Sequence, residues 1–365
     1  MGETKNNTAE NTAHNAATCG MGRRPGMHSL PEAIGEYRIR EELGYGTTSD
    51  VYLAEAADGR RIALKVQNIK AFDKPWAARR FVCETEIVAL FDHPSIVRLV
   101  GAGVLLDGRG FLAMELVSGI TLDKRLGASG MATEDVERLA PEICEAVAAI
   151  HDAGVVHCDL KPQNIMLDYS NRIRLIDFGL ARRLGSDDGS LMPKGTIAGT
   201  PKFMSPEQIL AADLDARSDV FALGCLLYTL LNGRSPFRRR SIRGMFKAVL
   251  KEPAEDIRLV RPEVSPRLAE VIHKALTKER RHRYRNAGEM LEALGVERRY
   301  PTVTTPAAEP LQATAPRRSA LPDPVSTDSK ATKMARLPAL RLAVAGAAAA
   351  SMTWAADGLS WWLQT

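Results

Sequence analysis

The sequence predicts an α+β protein built as two lobes, a small β-rich lobe followed by a larger α-helical lobe. Three observations point there. Short runs with strand character, "YRIREEL", "SDVYLAEA" and "RRIALKV", crowd the stretch from Tyr37 to Val66. After Gly119 the patterns lengthen and take the helical period. Finally, "SDVFALGCLLYTLLNG" is apolar nearly all round, which marks a helix enclosed by the rest of a domain.

Residues 1–33 are rich in Asn, Thr, Ala and Gly without periodicity and read as a disordered leader. The leader lacks the apolar core of a secretory signal, and Asn6 breaks the pattern for acylation of Gly2. "ADGR" supplies an Asp-Gly turn between two of the early strands. A helix follows over Pro75–Phe91, then two strand-like runs, "IVRLVGAGVLL" and "GFLAMEL", joined by "DGRG". The segment "ATEDVERLAPEICEAVAAIHDAG" reads as a helix opened by a capping-box arrangement at Thr133 and closed by Gly154. "SPRLAEVIHKALT" and "NAGEMLEALG" close the folded part near Gly295, so the main domain spans 37–296 with no internal repeat.

Residues 300–338 have the Pro, Ala, Thr, Ser and Arg content of a linker. The final stretch, 339–365, is apolar. It runs from Leu342 to Ala356 without a charge, short of the roughly 20 residues a membrane span needs. Lys330, Lys333, Arg336 and Arg341 on one side and Trp361 and Trp362 on the other resemble the flanks of a single span. Two readings stand: a C-terminal anchor to the inner face of the cell membrane, or a helix that lies on a surface or packs on itself.

The bulk properties exclude more than they assign. A formal net charge of +5 is mild and does not indicate a nucleic-acid partner. Five widely spaced cysteines with no CxxC pair argue against a zinc site or a disulfide framework and suit a reducing, cytoplasmic setting.

The chemistry begins with "HCDLKPQN", His157 to Asn164, whose charged groups sit between the apolar runs "GVVHCDL" and "IMLD". Polar groups in such flanks are costly without partners or a role. Upstream, "LGYGTTSDVYLA" places Gly44 and Gly46 where backbone N–H groups can approach an anion. A dinucleotide fingerprint would need a third glycine and a following helix, where Ser49 and a strand stand instead. In "IALKV", alternation puts Ile62, Leu64 and Val66 on one face and Ala63 with Lys65 on the other. On the next helix Ala77, Phe81, Val88 and Phe91 form a stripe, and Glu84 falls inside its arc while Glu86 does not. An inward carboxylate wants a cation, and Lys65 is the nearest candidate.

Together these motifs resemble, in order and spacing, a eukaryotic-type serine/threonine protein kinase, most similar to the bacterial branch of that family, over residues 37–296. The resemblance implies the bilobal protein kinase fold, ATP and Mg²⁺ as cofactors, and proteins with Ser or Thr acceptors as substrates. By it, Asp159 would orient the substrate hydroxyl or take its proton, while Lys161 and Lys65 would offset phosphate charge. Leu43, Gly44, Gly46, Ser49, Val51, Ala63, Lys65, Glu84, Met114, Glu115 and Val117 would form the nucleotide site, with Glu115 to Val117 as the hinge. Asn164, and Asp177 of the "DFG" 18 residues beyond Asp159, would hold the metal. His157 would brace the loop, Thr200 would contact Asp159 and Lys161, Glu207 would pair with Arg283, and Asp219 would accept N–H groups from the loop. A pseudokinase scaffold that binds partner proteins is the alternative, favoured if Lys65, Asp159 or Asp177 were missing. A small-molecule kinase would generally lack the "GTP…SPE" segment and the "SDVFALG" helix.

Several positions depart from the family pattern. Ser49, Ser205, Glu279 and Arg280 are mild changes. The runs "RRRSIR" and "RRHRYR" read as docking surfaces or, more simply, as a solvated face. Cys158 stands where many members carry an arginine that receives an activation-segment phosphate, and a neutral thiol has no charge for that task. Activity is therefore expected to depend little on phosphorylation of Ser190 or Thr196. Steady-state rates of the Ser190→Ala, Thr196→Ala double variant check this; a loss of about a hundredfold, some 2.7 kcal/mol of barrier, would overturn it.

Overall fold

The computed structural model describes residues 30–46, 48–68, 75–185 and 198–300. The first lobe is an antiparallel sheet. Its strands are β1 (Ala33–Ile34), β2 (Tyr37–Tyr45), β3 (Ser49–Glu55), β4 (Arg61–Gln67), β5 (Leu99–Val104) and β6 (Gly110–Glu115). They lie in the order β1-β2-β3-β4-β6-β5. The alternation in β4 holds. Ile62, Leu64 and Val66 enter the lobe's core with Tyr37, Ile39 and Tyr52, and the opposite face carries Ala63 and Lys65. Helix α1 (Pro75–Val88) crosses the sheet and sends Cys83, Ile87 and Val88 into the core of the second lobe.

That second lobe is organised on two long helices, α3 (Thr133–Asp152) and α5 (Ala216–Asn232). Short elements precede and separate them. These are β7 (Gly119–Thr121), α2 (Leu122–Arg125), β8 (Val155–Val156), β9 (Ile165–Asp168), β10 (Ile173–Leu175), β11 (Arg182–Arg183) and α4 (Pro206–Ile209). The strands pair as β10-β9-β7 and β11-β8. The chain ends in α6 (Ile242–Lys251), α7 (Ile257–Val260), α8 (Pro266–Ala275) and α9 (Ala287–Ala293). Every residue of α5 from Ser218 to Leu231 is buried, as its all-round apolarity requires. Asp215 caps its start by accepting from Arg217 N, and Gly233 ends it at φ +70°. A Cβ at Gly233 would meet the Ala128 carbonyl oxygen at 2.4 Å, so only glycine closes this helix.

Several boundaries differ from expectation. Ala33, assigned to the leader, belongs to β1. Helix α1 stops at Val88, three residues before Phe91. Thr133 is the first residue inside α3 and caps nothing. Its hydroxyl accepts from Arg261 Nη2 (3.0 Å) and faces Glu263, and tertiary partners thus replace the local capping pattern. The folded body also runs past Gly295. Arg298 pairs with Asp152, and the backbone N–H groups of Arg299 and Tyr300 both donate to the buried Glu145 carboxylate. Cys83, Cys144, Cys158 and Cys225 are free thiols. The rest of the leader, the linker beyond Tyr300 and the apolar 339–365 segment lie outside the described residues, as do Ser190 and Thr196. Among the described residues no helix is long and apolar enough to cross a membrane.

The lobe's most expensive contact is the pair expected between Glu207 and Arg283. Arg283 Nη1 donates to Glu207 Oε1 at 2.8 Å and Nη2 to Oε2 at 3.2 Å, with the guanidinium side chain wholly buried. Burial works against ionisation of Glu207, but Arg283 and the Ser218 hydroxyl outweigh it and hold the carboxyl below its usual range. Its contribution to stability is therefore present above the ordinary carboxylate pKa of 4.5 and fades as pH falls through the lower folded value. Glu207→Ala should cost about 3–5 kcal/mol at pH 7, because Arg283 is left buried without its counterion. Thermal unfolding at pH 7 and pH 4 checks this: the gap between wild type and variant should narrow in acid, and a gap independent of pH would contradict it.

Candidate active site

Between the lobes lie two adjoining cavities that share Lys65 and Asp177. The inner one, with about 490 Å³ of open space, is an apolar slot. Leu43, Val51 and Ala63 form its roof, and Met114, Glu115, Leu116 and Val117 form its inner wall. Its floor comes from Met166 and Ile176 of the second lobe. The outer one is larger, about 1130 Å³, and polar. Gly46, Ser49, Lys65, Glu84, Asp159, Lys161, Asp177 and Thr200 all line it.

The turn between β2 and β3 is fixed from below. Asn68 Nδ2 donates to the Gly46 carbonyl (2.9 Å), Asn68 N to the Thr48 carbonyl (3.0 Å), and Gly46 N to the Ser49 carbonyl (2.9 Å). Gly44 sits within β2 opposite Val51 and lines neither cavity.

Lys65 and Glu84 meet as expected. Lys65 Nζ lies 2.5 Å from Glu84 Oε1, and it also lies 2.8 Å from Asp177 Oδ1. Lys65 is 6% exposed and does not reach out to solvent. Burial pushes the ammonium toward neutrality, but Asp177 and Glu84 together outweigh it and hold Lys65 above the usual lysine value. Burial likewise acts against the Asp177 carboxylate; Lys65, Lys161 and the Gly179 N–H overcome it and hold that carboxyl well below its usual range. Glu84, buried and facing the Asp177 charge, is raised. A Cβ at Gly179 would stand 3.3 Å from Asp177 Oδ1 and 3.7 Å from Lys65 Nζ, so glycine there lets the three groups close up.

The "HCDLKPQN" loop hangs on α5. Asp219, fully buried, accepts from His157 N (2.6 Å) and Cys158 N (2.9 Å), and His151 Nε2 lies 3.0 Å from it. The second of these N–H groups is aimed by a left-handed residue, Cys158 at φ +65°. His157 packs its ring 5.2 Å from that of Phe178, which stacks 5.6 Å from Phe91, three residues beyond α1. Burial lowers the His157 pKa, against the opposing charges of Asp219, Asp159 and Asp177. Its Nδ1 accepts from Asp159 N at 3.3 Å.

Both oxygens of Asp159 are engaged. Oδ1 accepts from Thr200 N (3.1 Å) and Thr200 Oγ1 (2.9 Å). Oδ2 accepts from Lys161 Nζ (2.5 Å) and Asn164 Nδ2 (3.4 Å), and Lys161 Nζ also reaches Thr200 Oγ1 at 3.2 Å.

Val97, Met166 and Ile176 in the slot and Trp76, Arg80 and Gly199 in the outer chamber escaped the sequence reading. They are apolar or isolated residues brought in by distant segments, and nothing local marks them. Cys158 also has cations near it. Burial pushes its thiol up to about 12, against the opposing charges of Arg182 and Arg80, which makes it an inert filler.

The model for the protein kinase domain matches residues 37–293. The serine/threonine-protein kinase PknB of Mycolicibacterium smegmatis is 34% identical over 269 residues, 72% of this chain and 43% of that protein. The serine/threonine-protein kinase pkn2 of Myxococcus xanthus is 38% identical over 208 residues, 56% of this chain and 25% of its own length. A probable serine/threonine-protein kinase of Streptomyces coelicolor is 33% identical over 261 residues, 70% and 39% of the two chains. This chain thus spans less than half the length of each of these relatives. With the two-lobed architecture and the match over most of its length, the chain belongs to the protein kinase family.

Proposed function

We propose that the chain transfers the γ-phosphoryl group of ATP to serine or threonine hydroxyls of proteins. The observation that carries this reading is the pair of joined cavities: a flat apolar slot opens into a charged chamber, and Lys65 and Asp177 stand at the junction. A planar base suits the slot, and the triphosphate then lies along Lys65. The relatives' names support the same chemistry and the same acceptor type.

Among the described residues six charged groups line the chamber, Lys65, Arg80 and Lys161 against Glu84, Asp159 and Asp177, and their charges balance. A triphosphate would bring in negative charge with nothing left to offset it. The donors that remain are oxygens, the Asp177 carboxylate and the Asn164 amide, whose nitrogen is turned to Asp159. That set suits a hard divalent cation such as Mg²⁺ completed by phosphate oxygens. Among the described residues no cluster of three His, Cys, Asp or Glu could cage a metal alone. Bound there, Mg²⁺ would neutralise the phosphates and orient them.

The protein's own groups supply the rest. Lys65, kept charged and fixed by Glu84, places an ammonium on the nucleotide phosphates. Asp159 offers a carboxylate oxygen to the acceptor hydroxyl, orienting it and taking its proton as the hydroxyl oxygen bonds to the γ-phosphorus and the bond from that phosphorus to the β–γ bridging oxygen breaks, releasing ADP. Lys161, tied to Asp159 and Thr200, lies where charge on the transferring group can be met. The residues whose absence would mark a pseudokinase, Lys65, Asp159 and Asp177, are all present and in contact with partners.

Labelled γ-phosphate transfer from ATP with Mg²⁺, to the chain itself and to a generic basic protein, tests the proposal. Wild type should label Ser or Thr. Asp159→Asn and Lys65→Met should each lose at least about a hundredfold, the usual contribution of one positioned acid–base or charge group. Equal labelling by wild type and Asp159→Asn would contradict the proposal.

A further inference from the structure

Two arginine runs of similar composition meet different fates in the fold. In "RRHRYR" the cations are engaged within the lobe. Arg283 binds Glu207, Arg280 donates to the Asp213 carbonyl and lies near Asp215, and Arg285 pairs with Glu289. Residues 234–243, which run from the end of α5 into the first turn of α6, carry Arg234, Arg238, Arg239, Arg240 and Arg243 with no acidic residue among them. Arg239 pairs with Glu252, the residue that follows α6. Arg234, Arg238 and Arg240 are exposed and make no ion pair among the described residues; neither does exposed Lys202.

The segment is held rigidly next to the acceptor site. Ser235 Oγ donates to the Lys202 carbonyl at 3.1 Å. Lys202 belongs to the turn that starts at Thr200, where Phe203 N donates to the Thr200 carbonyl (2.9 Å), and Thr200 binds Asp159. Phe237 is buried, stacked on Phe221 at 5.7 Å with Lys278 Nζ 3.6 Å from its ring centroid. At the far end Ser241 caps α6 by accepting from Gly244 N. Followed through these bonds, Ser235 lies at most about 18 Å from the Asp159 carboxylate, roughly five or six residues of extended chain.

We infer that Arg234, Arg238 and Arg240, with Lys202, form a docking arc for an acidic segment of the protein substrate, two or more Asp or Glu residues within about six residues of the acceptor. The inference rests on the proposed phosphotransfer to Ser or Thr and names the substrate class of that same site. Guanidinium groups on an anchored loop bind carboxylates through two parallel N–H bonds, and no carboxylate among the described residues pairs with these three. Charges placed beside a reacting site select partners and speed their encounter, and the effect weakens with salt.

The test is a peptide series with one Thr acceptor and an Asp pair moved through the six positions on either side, each beside its Asn twin. Wild type should prefer the best Asp peptide over its twin by at least tenfold in kcat/KM, chiefly through KM, and 0.5 M salt should shrink that preference. Arg234→Ala, Arg238→Ala, Arg240→Ala combined should reduce the preference below threefold, with ATP affinity reporting that the variant is folded. The corresponding triple Arg→Lys variant should keep only part of it, since lysine retains the charge but not the paired N–H bonds. Phosphorylation of Asp and Asn peptides at equal kcat/KM by wild type would overturn the docking inference while leaving the kinase reading intact. No transfer to any peptide or to the chain itself would overturn both.

Discussion

The Lys65 ammonium has surrendered nearly all its water, and two carboxylates from opposite sides take water's place. Glu84 comes from α1 of the small lobe and Asp177 from the loop after β10 of the large one. An unpaired buried ammonium would shed its proton, and neutral Lys65 would have nothing to offer a phosphate. The contact therefore does two things at once. It keeps the charge in the cleft, and it ties the position of α1 and of the Asp177 loop to that charge. If α1 moved away, Glu84 would leave with it.

A second buried group sets the other half of the site. Asp219 at the start of α5 gathers two backbone N–H groups of the loop that carries Asp159, so the loop's shape is dictated from inside the most enclosed helix of the molecule. Phe178 stacks on Phe91 and lies tilted against the His157 ring, so the three rings bridge the two anchors. Through these contacts the turn after α1, the Asp177 segment and the Asp159 loop share one apolar column. A shift in any of the three disturbs the packing of the others, since close-packed interiors yield little.

The catalytic groupings were legible in the sequence because the chemistry puts its demands on short stretches. Strand alternation set Lys65 apart from Leu64, helical projection singled out Glu84, and the contact between them could be anticipated from charge alone. The buried pair of Glu207 and Arg283 and the role of Asp219 came from family resemblance, for no local pattern links residues so far apart. What stayed hidden follows a physical rule. Met166, Ile176 and Val97 are ordinary apolar residues until the fold lays them under the slot. Thr133 looked like a cap because its neighbours suited one, yet Arg261 from the far end of the lobe claimed its hydroxyl. The arginine runs looked alike because composition does not tell which cations will find carboxylates.

In the proposed reaction Asp177, through a bound cation, and Lys65, through its ammonium, share the task of offsetting the nucleotide's charge. Calorimetric titration of ATP, with and without Mg²⁺, into wild type and Asp177→Asn tests it most directly. The account predicts that Mg²⁺ tightens ATP binding to wild type by at least about tenfold, or 1.4 kcal/mol, and that Asp177→Asn abolishes the gain. A gain of equal size in both proteins would contradict it.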